Sequence, residues 1–196
     1  MTRGGMKYVM LAAAIMLWPV YALGQEAPPE APPSEIRPST LEELFAQLAA
    51  TTDPQEAMFL DIAISENLDA AGGPTAQLLA QRALVSAEGG NFSMAMELAD
   101  AAVAYAPRYA EGFNTRATIQ ALQDNYAGAM ADLQQALAIE PRHYRALANV
   151  GAILESTEDN VKALEAYDRA LALYPLYEEV RAAAEALRKK VDGDRI

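Results

Sequence analysis

The sequence predicts an all-α chain in which antiparallel helix pairs stack into a solenoid, and three observations carry that prediction. The chain is 52% hydrophobic, its apolar share is rich in alanine, and only 7% of it is aromatic. That balance suits close helix-on-helix packing better than a sandwich of β-branched and aromatic strands. Capping signatures open helical stretches. Pro107, Pro141 and Pro175 recur at a spacing of 34 residues and close the stretches AVAYAP, ALAIEP and ALALYP. A fixed period of this kind marks a repeat architecture, and 196 residues suffice for one sizeable core.

The elements follow in chain order. Residues 1–24, MTRGGMKYVMLAAAIMLWPVYALG, carry Arg3 and Lys7, an apolar run from Tyr8 to Val20, and small residues at Ala22 and Gly24. This is the layout of a secretory signal peptide, so export and cleavage after Gly24 are expected. The alternative, an uncleaved membrane anchor, is disfavoured because the apolar run is short of the ~20 residues a spanning helix needs, and no membrane insertion is expected after cleavage. The chain has no cysteine, which excludes lipidation of the new terminus, disulfides and thiol chemistry. Taking the two basic residues of the signal from 15 leaves 13 against 27 acidic ones, a charge of −14. Nucleic acid and anionic membrane surfaces are disfavoured as partners, because both are bound by lysine and arginine. Residues 25–39, QEAPPEAPPSEIRPS, hold five prolines and almost no apolar side chains. They read as a disordered, extended linker that cannot offset its own ordering entropy.

Helices are expected from Thr40 onward. TLEE is a capping box with Thr40 as N-cap and Glu43 three residues on; DPQE repeats the signal with Asp53, Pro54 and Glu56. Two helices over 41–50 and 54–70 result, and AGGP (71–74) stops the second, glycine supplying a left-handed C-cap. Residues 40–74 are therefore read as a helical hairpin that caps the first end of the stack.

Counting back from each proline as position 32 of a 34-residue unit gives units 76–109, 110–143 and 144–177. Small residues then fall into register: Ala83, Ala117 and Gly151 at position 8, Ala95, Ala129 and Ala163 at position 20, and Ala102, Ala136 and Ala170 at position 27. Leu79, Phe113 and Leu147 occupy position 4, and the turns EGGNF, QDNYA and EDNVK separate the two helices of each unit. Helices approach closely only where side chains are small, and a single pair cannot bury its apolar face alone. The pattern resembles the tetratricopeptide repeat (TPR) family over residues 76–177. The resemblance implies a right-handed α-α solenoid.

Position 7 departs from that family's usual leucine: it is Arg82 in the first unit, Arg116 in the second and Val150 in the third. Two placements are open to Arg116: pairing with Asp132, sixteen residues on, or snorkelling its head into water. Position 24 shrinks to Ala99 in the first unit, against Leu133 and Tyr167, so that unit is expected to be the loosest. Residues 178–192 form an amphipathic helix, acidic at its start and basic at its end, which reads as the solvating cap at the other end of the solenoid. The order of features resembles exported TPR proteins of alphaproteobacterial type, which implies a periplasmic location.

No enzymatic constellation emerges. His143, the only histidine, falls at position 34 with Arg142 and Arg145 close by in sequence and reads as a polar loop residue facing water. It lacks the companion ligands of a metal site and the partners of a catalytic triad. EGGN lacks the lysine and serine of a P-loop. No cofactor, metal site or catalytic residue is expected. Binding remains. The TPR resemblance implies an inner groove lined by the first helix of each unit, here Gln77, Gln81 and Leu84, then Glu111, Asn114, Thr115 and Thr118, then Arg145, Asn149 and Ala152. Amides and small residues suit the backbone of an extended peptide. TPR clamps for the acidic tails of heat-shock chaperones place three basic residues and two asparagines where this chain has Ala80, Leu84, Thr115, Arg145 and Asn149. With one basic residue among the five, that ligand is excluded. The expected function is a periplasmic, non-enzymatic protein- or peptide-binding adaptor. The alternative is a structural subunit of an envelope complex that associates with itself, as a homo-oligomer, or with a neighbouring subunit through its capping helices, its groove incidental.

Overall fold

The computed structural model describes residues 40–193. The expected signal peptide and proline-rich linker lie outside the described residues. Among those residues every regular element is a helix: α1 (Leu41–Ala50), α2 (Pro54–Ala70), α3 (Gly73–Glu88), α4 (Phe92–Tyr105), α5 (Ala110–Leu122), α6 (Tyr126–Ile139), α7 (Tyr144–Ser156), α8 (Asn160–Leu173) and α9 (Glu178–Gly193). Helices α3 with α4, α5 with α6 and α7 with α8 form three antiparallel pairs, and successive first helices α3, α5 and α7 lie side by side. The result is an all-α solenoid of antiparallel helix pairs with α9 packed on α8.

Local chemistry sets the boundaries. Thr40 and Glu43 form the expected reciprocal box: the Glu43 N–H donates to the Thr40 hydroxyl at 3.2 Å and the Thr40 N–H to the Glu43 carboxylate at 2.8 Å. Asp53 caps α2 through the Gln55 N–H, but Glu56 accepts from the Thr51 hydroxyl and leaves the Asp53 N–H to Thr51. Asn91, Asn125 and Asp159, all at position 16, each cap the second helix of their unit from the N–H three residues on. The residue before each cap turns through left-handed backbone, with φ of 76° at Gly90, 57° at Asp124 and 64° at Glu158. Only the first unit uses glycine where that conformation favours it. At the end of α2, Ala71 stays right-handed, and the left-handed glycine is Gly73, which opens α3.

The small residues at positions 8, 20 and 27 are all buried, and they form the seams of the pairs. Position 8 is matched to position 24 across each seam, as Ala83 with Ala99, Ala117 with Leu133 and Gly151 with Tyr167. The glycine is required in the third unit, because a methyl group there would stand 2.5 Å from the Tyr167 ring. The Tyr167 hydroxyl is tied to Glu155 at 2.8 Å, so the ring cannot easily swing away.

The N-terminal hairpin does not stand where expected. It does not cap the face of the first unit; α1 packs on α8, and Leu44, Phe45, Leu48, Leu60 and Ile64 join Tyr144, Leu147, Tyr167, Val180 and Leu187 in one apolar cluster. The physical reason is the aromatic content of that end. Phe45 meets Tyr144 edge-on at 6.3 Å, Tyr144 meets Tyr174 at 5.5 Å, and Arg142 lies 4.6 Å above the Phe45 ring. The first unit offers mostly alanine. Its outer face is left open: Val85 is 62% exposed at position 10, where Ile119 and Ile153 are buried.

Substituting Gly151→Ala is expected to destabilise the protein despite its better helix propensity, the overpacking costing ~1–3 kcal/mol against a gain of ~1 kcal/mol. Adding Tyr167→Leu recreates the Ala117 and Leu133 pairing of the second unit and should recover most of the loss. Denaturant titration of the two variants checks both.

Candidate functional site

The inner face is built by α3, α5 and α7, and α2 forms one of its walls. Helix α2 is fastened there by two polar clasps. The Tyr109 hydroxyl donates to Asp69 at 2.8 Å, and Asp61 accepts from Arg145 at 2.8 Å and from the Tyr144 hydroxyl. Asp61 and Asp69 are eight residues apart, or about 12 Å along a helix, near the 8–10 Å at which packed helices stack. One helix can therefore serve two successive units. The Tyr109 ring fits because Gly72 and Gly112 flank it; a methyl group at either would come within 2.6 Å of the ring. Burial pushes the Tyr109 and Tyr144 hydroxyls up, as do their carboxylate partners. Both remain donors.

Two clefts open on this face. The first, of about 230 Å3, is lined by Asp69, Gln77, Gln81, Leu84, Glu111, Thr115 and Arg145 among others. The second, of about 200 Å3, is lined by Thr118, Leu122, Tyr126, Asn149, Ala152 and Ile153 among others. All ten groove residues named from the sequence sit on α3, α5 and α7, and nine of them line a cleft. Asn114 lines neither. It is buried, donating its amide to Glu111 at 3.0 Å and accepting from Asn149 at 2.9 Å. Asn149 also donates to the Thr118 hydroxyl at 3.3 Å. The amides expected to meet a ligand are thus joined first to one another, in a network that crosses from the second unit to the third.

His143 is a correction to the sequence reading. It is 1% exposed and is the N-cap of α7, its Nδ1 accepting from the Ala146 N–H at 3.3 Å. That bond leaves the ring proton on Nε2, which lies 2.9 Å from the Glu111 carboxylate, off the straight line of a hydrogen bond. The ring is buried because it takes the position-34 place of Tyr109 in the unit before. Burial alone would raise the Glu111 carboxyl, but His143, the Asn114 amide and Arg145 outweigh it and hold it below the usual range. For Asp69 the balance is reversed. Burial, with Glu111 adding to it, raises its carboxyl despite the Tyr109 bond.

Arg116 takes the paired placement. It grips Asp132 with Nε and Nη2, each at 2.7 Å, and reaches Asp100 on α4 at 2.8 Å with Nη1. Asp132 also accepts from Gln120 at 2.8 Å. Asp61 and Asp69 were not legible in the sequence because α2, a non-repeating helix, carries no register that points to the groove; Asp100 and Tyr109 lie inside the first repeat unit and were not singled out. The shared position of Tyr109, His143 and Tyr177 was the available signal. Among the described residues no group of three or more His, Cys, Asp or Glu is arranged to hold a metal ion, and no helix is long and apolar enough to cross a membrane.

Stability should reflect the Glu111 site in acid. A carboxyl held low in the folded state contributes stability above its unfolded value of about 4.3 and loses it as pH falls through the lower folded value. The wild type is therefore expected to lose stability more steeply than Glu111→Gln between about pH 5 and pH 3, as read by thermal melts across that range.

No protein-family model matches the chain, and no curated protein matches it. Solved structures do. The first TPR of Spaghetti (RPAP3), bound to HSP90 peptide SRMEEVD, is 19% identical with a TM-score of 0.58, covering 60% of this chain and 96% of its own. The Sgt2 TPR domain from Aspergillus fumigatus is 18% identical with a TM-score of 0.59, covering 62% and 82%. A thermophilic TPR protein of Thermus thermophilus is 23% identical with a TM-score of 0.55, covering 76% and 79%. At these identities it is the fold that is shared, and the fold of the described residues is that of TPR domains.

Proposed function

We propose that this chain is a non-enzymatic adaptor that holds an extended segment of a partner protein against the inner face of α3, α5 and α7, and that it works in the periplasm. The observation that carries the reading is the pair of clefts on that face, one evenly mixed in polarity and one largely apolar, joined by the Asn114, Asn149 and Thr118 network. Such a face offers the exposed amides of Gln77 and Gln81 to a peptide backbone, beside side-chain pockets whose walls the internal network holds in place. The neighbour solved with a bound peptide supports peptide binding by this fold. The export step is supported by residues 1–24 alone, with Arg3 and Lys7 ahead of the apolar run.

A second reading has its own observation. Leu78 and Val85 are exposed at positions 3 and 10 of the first unit, where Gly112, Ala146, Ile119 and Ile153 are buried against the preceding unit. Stacking of that face on another subunit would make the chain a structural component.

Capture from a periplasmic extract separates the two. Tagged protein expressed from the full sequence, with a mature N-terminus expected at Gln25, should retain a partner that the Gln81→Ala, Ala152→Arg variant loses. Both substituted residues are exposed, so circular dichroism should be unchanged. Equal retention by both proteins, with loss instead in Val85→Asp, would move the conclusion to the structural reading.

A further inference from the structure

We propose that the first cleft is a subsite for a cationic side chain, that of an arginine or lysine in the partner segment; this rests on the reading of the inner face as a peptide site. Glu111 is met by His143 at 2.9 Å and by the Asn114 amide at 3.0 Å. Arg145 is held by Asp61 at 2.8 Å and lies over the Tyr144 ring. That leaves Asp69, whose direct partner is the neutral hydroxyl of Tyr109. Among the described residues no cation pairs with it.

Thr115 adds an independent observation. It lines the same cleft, is 1% exposed, and its hydroxyl has no hydrogen-bond partner. Buried polar groups are ordinarily satisfied, so the Thr115 hydroxyl leaves hydrogen-bonding capacity unused in the wall of this cleft. The remaining walls suit the rest of a long basic side chain. Ala80 and Leu84 give an apolar bed for its methylenes, and the exposed amides of Gln77 and Gln81 stand at the rim. Burial and Glu111 work against the charge on Asp69 more than the Tyr109 bond and the more distant Arg145 and His143 favour it, a balance that a directly bound cation would reverse. The overall charge of −12 favours the approach of basic segments.

The test uses three peptides, acetyl-Ser-Gly-X-Gly-Ser-amide with X as arginine, citrulline or glutamate, titrated into the isotopically labelled full chain and followed by amide chemical shifts. Citrulline keeps the shape of arginine and removes its charge. The arginine peptide should shift the amides of Tyr109 and Thr115 with at least ten-fold higher affinity than the citrulline peptide. Asp69→Asn should abolish that preference, as should the exposed change Gln81→Lys, which places a cation at the rim without touching the Tyr109 bond. Equal affinity for arginine and citrulline, or an arginine preference that survives both substitutions, overturns the subsite and leaves the peptide face standing. Failure of all three peptides to shift any inner-face amide overturns both.

Discussion

Close approach of paired helices along seams of small residues is the constraint on which the rest of the structure depends. Where positions 8, 20 and 27 are alanine or glycine, the two helices of a unit lie near enough to exclude water and stack on the next unit. The seam also explains its own variation. Leucine at position 24 tolerates alanine opposite, whereas Tyr167 demands Gly151. The side chains that this packing drives outward from α3, α5 and α7 form the inner face, so the site follows from the seam.

That inner face is not the work of the repeats alone. Helix α2, which has no repeat register, supplies Asp61 and Asp69 and covers Tyr109 and Tyr144. A groove that would otherwise run open along three units is closed on one side by the chain itself. The polar residues left on it are mostly committed to one another, with Asn149, Asn114, Glu111 and His143 linked in turn across two units. A face of this kind is preorganised, which lowers the ordering cost of binding.

The repeat region was legible from the sequence because its chemistry is periodic. The prolines, the small residues and the position-16 caps recur every 34 residues, and the second helix of each unit starts just after its cap and ends two residues before its proline, whereas α3 begins at Gly73, inside the stretch expected to stop α2. The hairpin helices were legible one by one, since capping is local. Their destination was not, because it depends on which distant apolar surface they cover, and Phe45 found the tyrosines at the far end of the solenoid. His143 misled for a related reason. Its neighbours in sequence are arginines, while its neighbours in space are Glu111 and the N-terminus of α7. The groove positions could be placed on the correct helices by register, but which of them are spent on internal bonds was visible only in three dimensions.

The claim that α1 and α2 fold back along the inner face onto the third unit is open to one direct measurement. The chain has no cysteine, so spin labels can be placed at will on Gln47 of α1 with either Arg169 of α8 or Val85 of α3, all exposed. The interspin distance should be short and narrowly distributed for Gln47 with Arg169, and clearly longer for Gln47 with Val85. The reverse order would mean that the hairpin stacks on the first unit as an ordinary cap, and the account of the inner face as a groove walled by α2 would be wrong.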